Sequence, residues 1–124
     1  SALAFGGGPP ATNATDLWNG TNWTAVNTLG TARQALGGVG ADSTTALAFG
    51  GNAPPATAVT EQWNGTNWTE GNDMNTGRLR AASAGATNTS ALASGGVPAP
   101  GSPDNVALVE EWSVSGGVST IDAS

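Results

Sequence analysis

The sequence predicts an all-β protein built from a tandem repeat of one small antiparallel unit. Residues 18–24, WNGTNWT, return unchanged at 63–69, an offset of 45 residues. The chain also carries 19 glycines and 7 prolines among long stretches of Thr, Asn and Ser, and this composition favours turns and short strands over helices. A fixed repeat with recurring tryptophans indicates a folded array rather than a disordered polar tract.

The same offset relates other parts of the repeating unit. Thr-Ala-Arg at 31–33 recurs as Thr-Gly-Arg at 76–78, and ALAFGG at 46–51 recurs as ALASGG at 91–96. An earlier copy of the second block lies at 2–7. These relations divide the chain into three units, residues 1–30, 31–75 and 76–124.

Turn signals separate four predicted strands within the complete unit 31–75. Residues 34–40 are small and apolar, and residues 44–49 form an apolar run that ends at a double glycine. Residues 57–63 alternate with a period of two, and residues 67–70 form the fourth strand. Four strands in about 45 residues match the size of one β-propeller blade.

Asn64-Gly65 predicts a tight hairpin between the third and fourth strands, because a type I′ turn needs positive φ at both central residues. A two-residue turn would place Glu61 opposite Trp68, whereas a four-residue loop would place Trp63 opposite Trp68. Both registers put Glu61, Trp63 and Trp68 on one face of the sheet. The equivalent residues of the first unit are Asp16, Trp18 and Trp23.

An acidic residue precedes the third-strand tryptophan by two positions in every unit, as Asp16, Glu61 and Glu110. Between stacked sheets such a carboxylate would be partly desolvated and would need a partner. Arg33 and Arg78 lie at the start of the first strand of their units. We expect each arginine to pair with such a carboxylate in its own or an adjoining unit.

Composition excludes several classes of function. The formal net charge is −6, with nine carboxylates against three arginines, so no basic surface exists for nucleic acid or for an anionic membrane. No apolar run is long enough to insert into a membrane. Histidine and cysteine are absent, which removes the usual general bases, thiol nucleophiles and soft metal ligands. We therefore expect a non-enzymatic protein without a cofactor or metal.

Two chemical alternatives remain open at this point. A carboxylate pair of the glycosidase kind could be drawn from Asp16, Glu61 and Glu110, although their regular place in the repeat favours a structural role. The five tryptophans, Trp112 being the last, could serve as sugar-stacking platforms, but recurrence in register favours a place in the core between units.

The order of these features resembles the Kelch repeat, in which a double glycine ends the second strand, an aromatic residue ends the third and a tryptophan starts the fourth. The last unit departs from this pattern, because residues 118–121 carry no tryptophan. The Thr-, Asn-, Gly- and Ala-rich sequence of the repeat, with WNGTNWT, is similar to Kelch-like repeats in tail-fibre or structural proteins of marine bacteriophages. The matching positions are Gly6, Gly7, Gly50, Gly51, Gly95 and Gly96 for the glycines, Trp18, Trp63 and Trp112 for the third strand, and Trp23 and Trp68 for the fourth.

The resemblance implies a Kelch-like β-propeller with about two and three-quarter blades in the chain, fewer than the roughly four needed for closure. The first blade would lack its first strand. We expect the ring to close only by oligomerisation, two copies giving nearly six blades, or as part of a longer array.

The loops that follow the double glycines differ between units, at residues 8–12, 52–56 and 97–105, and a rigid scaffold with variable loops is typical of binding modules. The candidate ligand loop contains Pro98, Pro100, Ser102 and Asp104. We expect a structural and receptor-binding segment of a viral fibre or surface protein, on the virion or outside the cell, with a glycan or protein receptor. The alternatives are a Kelch-type protein-interaction scaffold and an engineered or excised fragment without activity of its own.

Overall fold

The computed structural model describes the chain as an all-β protein. Within the described residues there are eleven strands, all antiparallel, in three separate sheets, and no helix. The prediction of an all-β fold made of small antiparallel sheets is therefore confirmed. The described ranges are residues 2–53, 56–87, 90–98, 109–113 and 117–121.

Sheet 1 contains three described strands in the order β1-β2-β3. They are β1 (Ala2–Phe5), β2 (Thr15–Trp18) and β3 (Trp23–Val26). Trp18 lies directly opposite Trp23 in the ladder.

Sheet 2 contains four strands in the order β4-β5-β6-β7. They are β4 (Gly37–Asp42), β5 (Thr45–Phe49), β6 (Thr60–Trp63) and β7 (Trp68–Glu70). The third strand is shorter than the predicted 57–63, because the backbone of Thr57 bonds outside the ladder, to Gly51 and Arg78.

Sheet 3 repeats this arrangement with β8 (Ala82–Thr87), β9 (Ser90–Ser94), β10 (Val109–Ser113) and β11 (Gly117–Ile121). Its strands are also adjacent in chain order. Each sheet is thus an up-and-down meander made from one continuous stretch of chain.

The Asn-Gly hairpins form four-residue loops, and the alternative with a two-residue turn is wrong. Trp63 pairs directly with Trp68, and within the loop 64–67 only Gly65 has positive φ, at +99°. The Asn64 Oδ1 atom accepts the N–H groups of Thr66 and Asn67 at 2.9 and 2.8 Å. This side chain closes the loop as an Asx turn, so the asparagine itself does not need the left-handed conformation.

Double glycines follow β1, β5 and β9 for a steric reason that is clearest at Gly50. Its φ is +65°, and an added Cβ would lie 2.6 Å from the carbonyl oxygen of Arg78. Only glycine combines this conformation with so close an approach of two backbones. The double glycine therefore marks where one sheet contacts the segment that leads into the next.

The three sheets lie side by side in chain order. Sheets 2 and 3 approach each other at their first strands, where the Ser83 hydroxyl donates to the Gly38 carbonyl at 3.2 Å. Sheet 1 reaches the same strand β4 from the other side, since the ring of Phe5 lies over Gly38. The main apolar cluster fills the space between sheets 2 and 3 and consists of Leu47, Phe49, Met74, Ala91, Ala93 and Trp112.

The described part of the chain contains no helix of the length and hydropathy needed to cross a membrane.

Candidate functional site

A network of buried polar contacts surrounds the side chain of Arg33, which precedes β4. Its Nη2 atom lies 2.9 Å from Glu61 Oε2, and both side chains are almost fully buried. Its Nη1 atom donates to the carbonyl oxygens of Gly50 and Val59 at 2.9 and 2.6 Å. One guanidinium thus joins β6 to the end of β5 within sheet 2.

The arrangement recurs in sheet 3 around Arg78. Its Nη2 atom lies 2.9 Å from Glu110 Oε2 and donates to the Ala93 carbonyl at 3.2 Å, and its Nη1 atom donates to the Gly95 carbonyl at 3.1 Å. The sequence prediction that Arg33 and Arg78 pair with the repeated carboxylates is confirmed. In both cases the partner comes from the arginine's own unit.

The backbone of each arginine bonds to the preceding sheet. The Arg33 carbonyl accepts the Gly7 N–H at 2.9 Å, and the Arg33 N–H donates to the Thr12 carbonyl at 3.1 Å. The Arg78 carbonyl accepts the Gly51 N–H at 2.8 Å. Each arginine therefore joins two sheets, with its backbone on the double-glycine loop of one and its side chain inside the next.

The second oxygen of each buried carboxylate is also satisfied. Glu61 Oε1 accepts the N–H of Gly30, and Glu110 Oε1 accepts the N–H of Asn75. Gly30 and Asn75 are 45 positions apart and lie in the segments that connect consecutive sheets. Each carboxylate thus holds both the arginine and the connecting segment.

Burial of this cluster has an electrostatic cost. Burial lowers the pKa of Arg33 from its usual value, while the neighbouring Glu61 carboxylate opposes that change. The guanidinium of arginine is not deprotonated in proteins, so Arg33 keeps its positive charge inside the fold. Its charge must be balanced inside the fold, and Glu61 provides that balance.

The tryptophans predicted to share a face do so, and they lie between sheets 1 and 2. The rings of Trp63 and Trp68 are 5.3 Å apart between centroids, and Trp68 meets Phe5 of sheet 1 edge to face at 4.9 Å. The Trp68 Nε1–H donates to the Thr15 hydroxyl, also of sheet 1, at 3.0 Å. This indole is therefore bound through both its apolar and its polar part.

At the junction between sheets 2 and 3, Trp112 is buried and its Nε1–H donates to the Asn72 carbonyl at 3.0 Å. The fourth strand differs, because Val118 lies opposite Trp112 where Trp68 lies opposite Trp63. Valine has no side-chain donor. The hydroxyl of Thr60, the counterpart of Thr15, is buried and has no hydrogen-bond partner among the described residues.

Two buried apolar residues in the segments that connect consecutive sheets were not predicted from the sequence. Leu29 and Met74 are 1% and 6% exposed, and Met74 belongs to the apolar cluster between sheets 2 and 3. They are 45 positions apart, so the repeat offset could have identified them as equivalent positions. Their different side chains concealed it.

Each sheet has two faces with different roles. We call the face with the acidic residue and the tryptophans the indole face, and the opposite one the receiving face. The indole faces of sheets 2 and 3 pack against the receiving faces of sheets 1 and 2. In sheet 1 the indole face consists of Ala2, Ala4, Asp16, Trp18, Trp23 and Ala25.

The indole face of sheet 1 is not covered by a described sheet: its alanines and Trp23 are exposed, and Asp16 and Trp18 are half-buried. Trp23 is 54% exposed, and among the described residues it is the one large apolar side chain that is exposed. Its ring lies 5.3 Å from that of Trp18, as in the buried pair of sheet 2. The pairing of the indoles is thus retained where no described sheet covers them.

The candidate ligand loop is largely beyond the described residues. Pro98 is described and exposed, whereas Pro100, Ser102 and Asp104 lie outside the described ranges. The loop at 8–12 is described and contains exposed prolines at 9 and 10. It follows the double glycine of sheet 1 and contacts the segment that contains Arg33, since the Arg33 N–H donates to the Thr12 carbonyl.

The chemistry available to this arrangement is limited by burial. Glu61 and Glu110, two of the three carboxylates considered for catalysis, are 3% and 1% exposed and are occupied by arginine and backbone donors. A substrate cannot reach them without opening the junctions. No group of acidic residues suited to holding a metal ion occurs in the described part of the chain.

Comparison with known proteins finds no family model that matches the chain and no curated protein with significant similarity.

Proposed function

We propose that the chain is a segment of a Kelch-like β-propeller that serves structure and receptor attachment, without catalysis, in a viral fibre or surface protein. Each sheet represents one blade, and the loops after the double glycines form the binding surface. A glycan is the expected class of receptor. The phage setting is supported by the resemblance of the WNGTNWT repeat to fibre proteins.

One observation carries the proposal: both buried carboxylates of the repeat are committed to arginine within the fold. The repeated residues therefore build the scaffold, and the residues free to differ are those of the loops. Loops supported by a rigid scaffold are where binding residues concentrate. The loop at 97–105 is longer than its counterparts at 8–12 and 52–56, which makes it the first candidate for the receptor contact.

A glycan array with a loop exchange tests the proposal. Replacing residues 97–105 with the shorter 52–56 loop of the neighbouring unit is expected to abolish glycan binding, because it removes the candidate residues and keeps a loop that suits the scaffold. Circular dichroism and a cooperative unfolding transition would verify that the fold persists. The matched control replaces residues 8–12 with the same 52–56 sequence and is expected to retain binding.

Three results would contradict the proposal. Binding that survives the exchange of 97–105 would place the receptor site elsewhere. Binding to a protein partner with no glycan bound would instead favour a Kelch-type protein-interaction scaffold. Release of reducing sugar from a bound glycan would contradict the non-enzymatic assignment.

A further inference from the structure

The same face of the repeating sheet is buried twice in this chain and exposed once. In sheet 2 the indole-face residues Ala48 and Trp63 are 0% and 1% exposed, and in sheet 3 Trp112 is 6% exposed. In sheet 1 the counterpart alanine, Ala4, is exposed, and Trp23 is 54% exposed. Trp18 and Trp23 lie beside alanines on this face and together form a continuous apolar patch. Such a patch indicates an interaction surface, whereas a single exposed apolar residue does not.

The opposite end of the described array presents the complementary face. The receiving face of sheet 3 carries a groove of about 270 Å³ lined by Ala84, Gly85, Ala91, Leu92 and Glu111. In sheet 2 the residues at the positions of Ala84 and Leu92 are Val39 and Leu47, and they pack in the cluster that contains Trp112. The groove on sheet 3 therefore corresponds to the surface of sheet 2 on which Trp112 packs.

The chemistry of this receiving face also suits an indole. Phe5 lies opposite Thr15 in sheet 1, and this pair receives the ring and the N–H of Trp68. In sheet 3 the same two positions are Ser94 and Val109, again directly opposite each other. In sheet 1 the earlier strand carries the apolar residue and the later strand the hydroxyl, whereas in sheet 3 Ser94 carries the hydroxyl and Val109 is apolar. The receiving face of sheet 3 thus still presents one apolar side chain and one hydroxyl.

We propose that two copies of this chain associate head to tail, the indole face of sheet 1 in one protomer docking on the receiving face of sheet 3 in its partner. Trp18 fills the groove at Leu92, as Trp112 fills its place at Leu47. Trp23 packs on Val109 and donates to the Ser94 hydroxyl. Both contacts between two copies bring six sheets together, within the four to eight blades usual for propellers.

The occupant is a second copy because the chain already contains this contact twice. Both junctions join an indole face to a receiving face, and the described array presents one of each at its two ends. Such a contact is heterologous, so it closes only when the rotation per sheet returns to the start, and otherwise extends. Face-to-face pairing of two indole faces would instead bring two Asp16 carboxylates together.

Sedimentation equilibrium over a wide concentration range tests this association. The wild-type chain is expected to show twice its mass of 12.1 kDa. Trp23→Ser on the indole face and Leu92→Glu on the receiving face are each expected to raise the dissociation constant by at least about thirty-fold, as removal of a central hot spot does. Thr21→Glu, on the exposed hairpin outside both faces, is the charge-matched control and is expected to dimerise as wild type does.

Two further measurements keep the test decisive. Ala84→Glu changes an exposed residue of the receiving face, so it reports on docking even when Leu92→Glu fails to fold by circular dichroism. An equal mixture of Trp23→Ser and Ala84→Glu restores one intact contact and is expected to associate where each alone does not. A wild-type chain that stays monomeric at every concentration would overturn the proposal. So would a dimer that survives Ala84→Glu and Leu92→Glu with its fold intact.

Discussion

Replacing Glu61 with glutamine is expected to destabilise the protein strongly although it changes few atoms. Glutamine keeps the shape of the side chain, and its Oε1 atom can still accept the Gly30 N–H. Its amide group, however, presents hydrogens to the Arg33 guanidinium where Glu61 Oε2 accepted at 2.9 Å. The substitution leaves a fully buried cation without the carboxylate that contacts it.

The expected loss follows from that geometry. Removing one partner of a buried ion pair costs about 3–5 kcal/mol, because the remaining charge stays desolvated. Small domains have a free energy of unfolding of about 5–15 kcal/mol, so the loss is a large fraction of the total. With a urea m-value of about 1–3 kcal/mol/M, the unfolding midpoint is expected to fall by roughly 2 M.

Equilibrium urea unfolding, followed by tryptophan fluorescence and by far-ultraviolet circular dichroism, measures this change. The matched control is Glu70→Gln, the same substitution at an exposed residue directly opposite Glu61 in the ladder. It is expected to alter the free energy of unfolding by less than about 0.5 kcal/mol. Equal effects of the two variants, or a loss below about 1 kcal/mol for Glu61→Gln, would refute the reasoning.

Removing both charges is not expected to restore full stability. Replacement of a buried ion pair by apolar residues is often neutral when the pair serves only itself. Here Arg33 also donates to the carbonyl oxygens of Gly50 and Val59. A double variant, Arg33→Met with Glu61→Leu, removes both bonds and leaves the Gly50 carbonyl without this donor, at about 1–3 kcal/mol, whereas the Val59 carbonyl still accepts the Gly50 N–H. Full recovery of the urea midpoint would show that these two bonds contribute nothing.

Three further substitutions test the packing between sheets by the same unfolding assay. Val118→Trp puts an indole at the register position of Trp68, whose N–H bonds Thr15, the counterpart of the unpaired Thr60; it is expected to stabilise the chain by about 1 kcal/mol, and unchanged or lower stability would contradict this. Trp68→Phe is expected to cost about 1–3 kcal/mol, because a buried hydroxyl loses its donor, and a neutral result would count against that bond. Gly50→Ala is expected to cost more than Gly65→Ala, since an added Cβ meets a carbonyl oxygen at 2.6 Å in the first case and nothing nearer than 3.6 Å in the second; the reverse order would be inconsistent with the steric argument.

The repeat made the shared face and its ion pairs predictable before any coordinates. The period of two placed Glu61, Trp63 and Trp68 together, and the acidic residue two positions before each third-strand tryptophan supplied a partner for the arginine of each later unit. What a side chain does to its own backbone was harder to predict. Asn64 was expected to adopt positive φ, but its amide oxygen closes a wider loop with two N–H bonds instead.

Features that depend on distant parts of the chain were not predictable from the repeat. The sequence does not show that the Arg33 backbone bonds to Gly7 and Thr12 while its side chain points into the next sheet. Nor does it show that Thr15 receives a bond from Trp68, 53 positions later. Both follow from how one sheet stacks on another, and local patterns contain no information on that stacking.

The assignment of each buried charge pair to a single unit bears on how such a chain can change length during evolution. A duplicated segment that runs from one arginine to just before the next brings its own carboxylate with it. Adding or deleting that segment therefore creates no unpaired charge at the points of recombination, and each new sheet presents the same two faces to its neighbours. Unequal crossing-over can produce longer or shorter descendants of this gene that still fold, without compensating mutations in the adjacent copies.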